Sequence, residues 1–515
     1  MAANVLVFFL LYFFTNVAGL SAGLAGMVLA IGKVSDAIND PITGVLSDRT
    51  RCRWGRRIPW MLGGILPFGL LFFVQWWVPS FSDNPATNEW LLFAYYVVIG
   101  VLFNLAYTAV NLPYTALTPE LTQDYNERTS LNSFRMAFSI GGSILSLVLA
   151  QLIFGLYVDD PQRQYLALGE LCAWAAIAAT LWCCCRIQER NRQPLLPFPV
   201  RHNGGYILAG LGSLGAIVGL TAVVQGAITL MVLRLLMLGL ILGIAGVTLI
   251  FSQPEAHLTA ASAPTTTAHS EVPLDFGAQI KIVFATRPFL YVIGIYLCSW
   301  LAVQLTASIL IYYVVSWIGL SESAFPQVAI AVQGTALVML FVWQQVSNRW
   351  GKKTVYLLGT SIWIVSALAI FGLQPGQIWQ TYTLSVLIGV GISVAYLIPW
   401  SMVPDIIELD ELQTGQRREG VFYGFMVLLQ KMGLALALFL VGQSLELAGF
   451  IKQIPGQPVP EQPETALLAI RIVMSGFPAV VLLGGIVLAY FYPITKAYHE
   501  EIRAQLAARA KTTAS

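Results

Sequence analysis

Residues 355–403 pass without a single Asp, Glu, Lys or Arg, and similar charge-free stretches recur at 1–32, 91–119, 206–233, 289–320 and 472–495. A helix needs about 20 mostly apolar residues to cross the hydrocarbon core of a bilayer. Stretches of this length and number commit the chain to a multi-pass helical membrane protein. Its composition agrees: 57% of the 515 residues are hydrophobic and 10% are charged, where soluble domains carry about 25% charged residues. A multidomain soluble enzyme is thereby excluded. The net charge of +2 offers no basic surface, so no nucleic-acid partner is expected.

Fourteen spans are expected, near 3–22, 25–47, 58–78, 90–118, 132–156, 165–185, 205–224, 227–251, 287–316, 325–346, 354–373, 380–404, 420–446 and 466–493. Short loops rich in Lys and Arg stay cytoplasmic. The segment Asp48–Arg57 carries Arg49, Arg51, Arg53, Arg56 and Arg57, and Arg349, Lys352, Lys353, Arg417 and Arg418 fall on the same side. Pro79–Glu89, on the other side, has no Lys or Arg. A plasma (inner) membrane protein with both termini cytoplasmic is expected. Residues 1–20 have no basic leader and no clear cleavage site, so no cleavable signal is expected. The first span starts almost at Met1, by an abrupt start or because an upstream piece is missing.

Two related halves are expected from a repeated loop motif, the alternative being two basic loops that merely obey the cytoplasmic charge rule. Ser47-Asp48-Arg49 followed by Trp54-Gly55-Arg56-Arg57 is echoed by Ser347-Asn348-Arg349-Trp350-Gly351-Lys352-Lys353. Such internal duplication of six spans is a common transporter plan. Twelve spans belong to the repeats, and the surplus pair is a hairpin at 205–251 between them. The expected organisation is a bundle over 1–190, an inter-bundle region over 191–285 holding the hairpin and an Ala/Thr/Pro-rich linker, a second bundle over 286–495, and a tail over 496–515. The four histidines lie outside the spans, so no intramembrane histidine relay is available. The six cysteines lack metal-ligand spacing with histidine, and disulfides are not expected at a cytoplasmic face.

A few charges break the apolar rule. Lys33, Asp36 and Asp40 stand at i, i+3 and i+7 of the second span, on one helix face. Lys431 lies within the thirteenth. Each costs about 2.5–3.5 kcal/mol at the centre of an inserted helix, so a partner, a cavity or a function is implied. Two carboxylates one turn apart offer up to four oxygens to a small hard cation, with Lys431 able to replace it when the site empties. The alternative is a buried neutral network that pins two helices together. Thr108 and Asn111, one turn apart ahead of the helix-bending Pro113, could serve a cavity or act as interhelical glue. Arg135 either faces that cavity or snorkels to the interface. Trp300, Gln304, Gln333, Trp343, Gln344 and Tyr396 are polar or aromatic within spans, and for aromatics packing is the commoner role.

Asp36-Ala-Ile-Asn-Asp40-Pro-Ile-Thr-Gly44, Asn111-Leu-Pro113-Tyr114, Pro404-Asp405 with Arg417-Arg418-Glu419-Gly420, and Lys431 together carry a resemblance. The chain resembles the melibiose permease-like glycoside–pentoside–hexuronide:cation symporter family of the major facilitator superfamily, over nearly its whole length except 205–275. The resemblance implies two six-helix bundles and a cation site at Asp36 and Asp40 bordered by Thr108 and Lys431. It implies a sugar region that includes Arg135, and a cytoplasmic gate of Asp48, Arg49, Arg57, Glu120, Asp124, Arg128, Arg418 and Glu419. Two positions depart from it: Asn111 replaces the family's sugar-binding aspartate, and Thr115 replaces a tryptophan. The sodium-dependent lysophosphatidylcholine symporter keeps the paired aspartates without the sugar set. The expected function is sodium- or proton-coupled symport of a sugar or glycoside, with an amphipathic lysolipid as the alternative. The expected substrate contacts are Asn111, Thr115, Arg135, Trp300 and Gln304. No cofactor or metal beyond the transported cation is expected, nor a nucleophile–base pair for an enzyme. Membrane lipids surround an expected monomer.

Overall fold

A computed structural model describes residues 2–50, 54–117, 125–158, 160–187, 286–414, 419–452 and 460–514, with isolated positions elsewhere. The expected hairpin at 205–251 and its linker lie outside the described residues. The first half supplies α1 (2–16), α2 (Ala22–Arg49), α3 (Ile58–Val74), α4 (Pro85–Ala116), α5 (Tyr125–Leu156) and α6 (Pro161–Arg186). The second supplies α7 (Arg287–Trp317), α8 (Glu322–Trp350), α9 (Lys352–Phe371), α10 (Ile378–Thr414), α11 (Glu419–Leu447) and α12 (Glu464–Phe491), followed by the tail helix α13 (Lys496–Ala514). Among the described residues, 9 of these helices are long and apolar enough to cross a membrane. α1 and α3 are apolar but shorter, and α2 is the helix that carries Lys33, Asp36 and Asp40.

The two halves repeat a backbone detail as well as a motif. Gly55 and Gly351 both follow a tryptophan and both adopt positive φ, at 114° and 83°. A side chain is strained there, so glycine is fixed at the same point of each repeat.

Several boundaries differ from those read in the sequence. The first helix ends at Asn16 rather than near 22, because the chain turns through Gly19 at φ 78°. α5 begins at Tyr125 rather than 132. The span expected at 380–404 continues to Thr414, through Pro399 and Pro404. Asp405 and Asp410, expected beyond the helix end, are instead helical and buried. Proline removes one backbone donor and bends a helix without ending it when neighbours hold the flanks. Here Lys352 does so, its ammonium reaching the Ser401 carbonyl at 2.7 Å and both Asp405 oxygens at 2.7 and 2.8 Å.

Each half is a bundle: α3 packs on α4 and α6, α2 on α4, α9 on α10 and α12, and α7 on α10, α11 and α12. The halves meet through the crossed pairs α2 on α11 and α5 on α8, and through α1 on α7. α2 and α11 touch backbone to backbone. A Cβ on Gly442 would lie 2.7 Å from the Gly26 Cα and 2.6 Å from the Ala22 carbonyl oxygen. That contact lies at the far face, opposite the basic loops. An aromatic core fills the same end, with Phe9 edge-on to Phe325 at 5.3 Å and Tyr12 edge-on to Tyr312 at 5.1 Å. The bundle is therefore shut at the far face.

Candidate functional site

The charges that do not belong in a membrane converge on one point. The α2 register turns Asp36 and Asp40 toward α4 of the same half and α11 of the other. Asp36 is 2% exposed. The Thr108 hydroxyl lies 2.7 Å from Asp36 Oδ1 and 3.1 Å from Asp40 Oδ1. A hydroxyl has one proton to donate, so Thr108 couples the two carboxylates rather than satisfying both. Lys431 Nζ, arriving from α11, lies 3.0 Å from Asp36 Oδ2 and 2.5 Å from Asp40 Oδ2. It is the ionic link between the halves at mid-bundle. Lys33 lies 3.9 Å from Asp36 Oδ2 and donates to Asn104 Oδ1 at 3.0 Å.

Asn104 was not singled out in the sequence, although it stands one turn before Thr108. Its Nδ2 bonds the Gly100 carbonyl at 2.7 Å, which aims its oxygen at Lys33. Gly32 makes the room: a Cβ there would come within 3.0 Å of Asn104 Nδ2. The set thus holds two carboxylates, one hydroxyl and two ammonium groups. Its oxygens are of the kind that a hard cation takes, and Lys431 Nζ lies against both carboxylates.

The five residues expected to meet substrate do not form a comparable cluster. Thr115 gives its hydroxyl to the Leu112 carbonyl of its own helix at 2.8 Å. Asn111 is half-buried with no hydrogen bond among the described residues. Arg135 is half-buried and within electrostatic reach of Tyr114. Gln304 is buried, and its backbone carbonyl accepts from Ser308. Trp300 belongs to an aromatic group on α7, α10 and α11, stacked on Tyr296 at 5.9 Å and edge-on to Tyr396 at 6.1 Å. Trp400 continues the group, edge-on to Tyr296 and stacked on Tyr423 at 6.2 Å. The Trp300 indole N–H is buried without a hydrogen-bond partner among the described residues. Trp300 also abuts α11 at Gly433, two residues past Lys431. Edge and face stacking of this kind fills a helix interface.

Of the expected gate residues, Arg57 is buried and donates to the Ser47 hydroxyl at 2.6 Å, whereas Arg49 is exposed. The side chains of Asp48, Glu120, Asp124, Arg128, Arg418 and Glu419 lie outside the described residues. The closure that the structure does describe is at the far face, which the sequence reading did not anticipate. There Glu446 accepts from the Gly23 N–H at 3.0 Å, Lys452 pairs with Glu89 at 3.0 Å, and the Tyr12 hydroxyl donates to Glu322 at 2.9 Å. Thr15 and Tyr312 share a hydrogen bond at 2.7 Å. Glu89 and Glu446 each sit within a residue or two of a span end, where a lone carboxylate in sequence looks like an ordinary loop charge.

Two helical bundles with a polar set between them belong to a membrane transporter of the major facilitator superfamily, not an enzyme. The sequence matches the MFS/sugar transport protein family over residues 1–197 and 198–496, and the chain belongs to that family. It is 56% identical to an uncharacterized symporter of Synechocystis over 98% of this chain and 94% of that one. It is 25% identical to the sodium-dependent lysophosphatidylcholine symporter 1-A of Danio rerio, over 97% of this chain and 84% of the relative. It is 26% identical to a sphingosine-1-phosphate transporter of Mus musculus, over 100% of this chain and 90% of the relative. Among solved structures, a bacterial homologue of the human lysosomal transporter Spinster superposes with a TM-score of 0.51 at 11% identity, over 98% and 94% of the two chains. That likeness concerns the fold alone.

Proposed function

We propose that the chain is a cation-coupled symporter working by alternating access, in which sodium or a proton displaces Lys431 from Asp36 and Asp40. The observation that carries this reading is the ion pair across the halves: Lys431 of α11 lies 3.0 Å from Asp36 and 2.5 Å from Asp40 of α2. A cation that takes its place removes an ionic link between the bundles. Occupancy of the site is thereby tied to their separation, which is how a bound ion biases a two-state carrier. The basic loops face the cytoplasm in this proposal, so the far-face closure corresponds to an inward-facing carrier in the plasma membrane.

The substrate we favour is an amphipathic lysophospholipid-like solute. An aromatic group of Tyr296, Trp300, Tyr396 and Trp400 lies between α7 and α10, and Thr115 gives its hydroxyl to its own helix. Relatives of similar length are described as carrying lysophosphatidylcholine and sphingosine-1-phosphate. The second reading is a sugar or glycoside, which would place the chain beside the glycoside–pentoside–hexuronide:cation symporters. It is favoured by the Asn111 amide and the Trp300 indole N–H, neither of which has a hydrogen-bond partner among the described residues.

Uptake into proteoliposomes decides between them. Lysophosphatidylcholine and a panel of glycosides are offered under an inward sodium gradient or an inward proton gradient. Gradient-driven accumulation of the lysolipid, lost in Asp36→Asn and Asp40→Asn, is expected. Accumulation of a glycoside alone would replace the first substrate reading by the second. Undiminished concentrative uptake in both variants would overturn the carboxylate site.

A further inference from the structure

The Asp36–Asp40 set contains one more positive charge than a lysine-for-cation exchange requires on its face. Lys431 crosses from the other half, but Lys33 belongs to α2 itself and is anchored on Asn104 of α4 at 3.0 Å. Its ammonium stands 3.9 Å from Asp36 Oδ2, outside hydrogen-bond distance, so it acts on the carboxylate as a fixed charge rather than as a ligand. It cannot leave with the second half when the bundles move apart.

We propose that Lys33 is the charge that makes Lys431 and the coupling cation mutually exclusive occupants of the carboxylate pair. The inference rests on the cation-coupled reading above. With Lys431 seated, two ionised carboxylates face two ammonium groups and the set is neutral. A monovalent cation that joined them would leave one surplus positive charge in a partly buried set, where like charges a few ångströms apart repel. The cation therefore enters only as Lys431 leaves, and neutrality is restored by Asp36, Asp40, Lys33 and the ion. Without Lys33 the balance changes. The set with Lys431 seated carries one net negative charge, so a cation can settle beside Lys431 without expelling it. Binding would continue, but it would no longer unlock the bundles. Lys33 is in this sense a positioning residue for the coupling step.

The test uses full-length protein with its native cysteines replaced and spin labels at Trp90→Cys and Ile451→Cys. These exposed positions flank Glu89 and Lys452 at the far face. Sodium alone is the probe, read by thermal stabilisation for binding and by the label-to-label distance for separation. In the otherwise native protein, sodium is expected to bind and to lengthen the distance. In Lys33→Gln, sodium is expected to bind at least ~10-fold more tightly, because a nearby positive charge is gone, and to leave the distance unchanged. Lys33→Arg should restore the distance response, which a purely structural role for Lys33 does not require. Lys33→Gln overturns the inference if it still separates the halves with sodium, or if it loses sodium binding altogether. An additional arm needs no substitution at Lys33. The site emptied of Lys431 carries a single net negative charge, so calcium should neither stabilise the protein nor displace sodium, and calcium that displaced sodium would overturn the inference. Failure of the unsubstituted protein to bind sodium would overturn both this inference and the sodium form of the proposed function. A sodium response retained unchanged in Lys33→Gln would overturn the inference alone.

Discussion

At the residue scale, four charges that composition marks as exceptions form one balanced set. Lys33, Asp36 and Asp40 were legible because their i, i+3, i+7 spacing puts them on one face of an otherwise apolar helix. Lys431 was legible as a charge inside a span. Their meeting was not, since nothing in the order of residues says that α11 delivers Lys431 to α2. Thr108 is the residue whose role the geometry sharpens most. Thr108→Val keeps its shape and removes the hydroxyl that touches both carboxylates. It should weaken sodium stabilisation about tenfold, the loss expected for one hydrogen bond to a charged group, while Thr108→Ser should retain most of it. Equal sodium affinity in Thr108→Val would remove the hydroxyl from the site. Lys431→Gln takes away the competing ammonium, so sodium should bind more tightly in that variant while uphill transport is lost.

At the scale of elements, closure depends on α2 and α11 crossing at two glycines. A Cβ on Gly442 would meet backbone atoms of Ala22 and Gly26, which cannot swing aside as a side chain can. Gly442→Leu should hold the far face open. The distance between labels at Trp90→Cys and Ile451→Cys should lengthen without sodium, and transport should fall at least ~10-fold because one half of the cycle is blocked. An unchanged distance would mean that the crossing tolerates a side chain. α10 carries a different lesson. The sequence places its end near 404, where the charge-free stretch 355–403 gives out. The helix continues because Lys352 engages Asp405 and Ser401, while His499 of α13 lies 2.7 Å from Glu408 and 3.3 Å from Asp405. Lys352→Ala should destabilise the purified protein by ~2 kcal/mol, the scale of hydrogen bonds to a charged group. A thermal midpoint equal to that of the native chain would show that α13 alone holds this end.

At the scale of the whole molecule, two bundles that meet, among the described residues, at the far face and through Lys431 with Asp36 and Asp40 have an evident way to move. Separation at the far face breaks the contacts of Tyr12 with Glu322, Gly23 with Glu446 and Glu89 with Lys452, and it parts the aromatic core that the two halves share there. Breaking the last of these through Glu89→Gln should shift the label distance toward the open form and raise the sodium affinity, since a site that favours the open form must in return be favoured by it. A longer distance with unchanged sodium affinity would uncouple the two ends.

The amino-acid sequence alone determined the helical membrane class, the duplicated halves and the face of α2 on which a cation could sit. Each of these follows from local periodicity and from the cost of placing charge in hydrocarbon, which operate along the chain. Only the tertiary structure decided that Lys431 occupies the carboxylate pair, that Asn104 anchors Lys33, and that the far face is shut by a glycine crossing and by carboxylates at helix ends. Those facts depend on contacts between residues hundreds of positions apart, whose approach is set by packing of the two bundles and leaves no periodic mark in either segment.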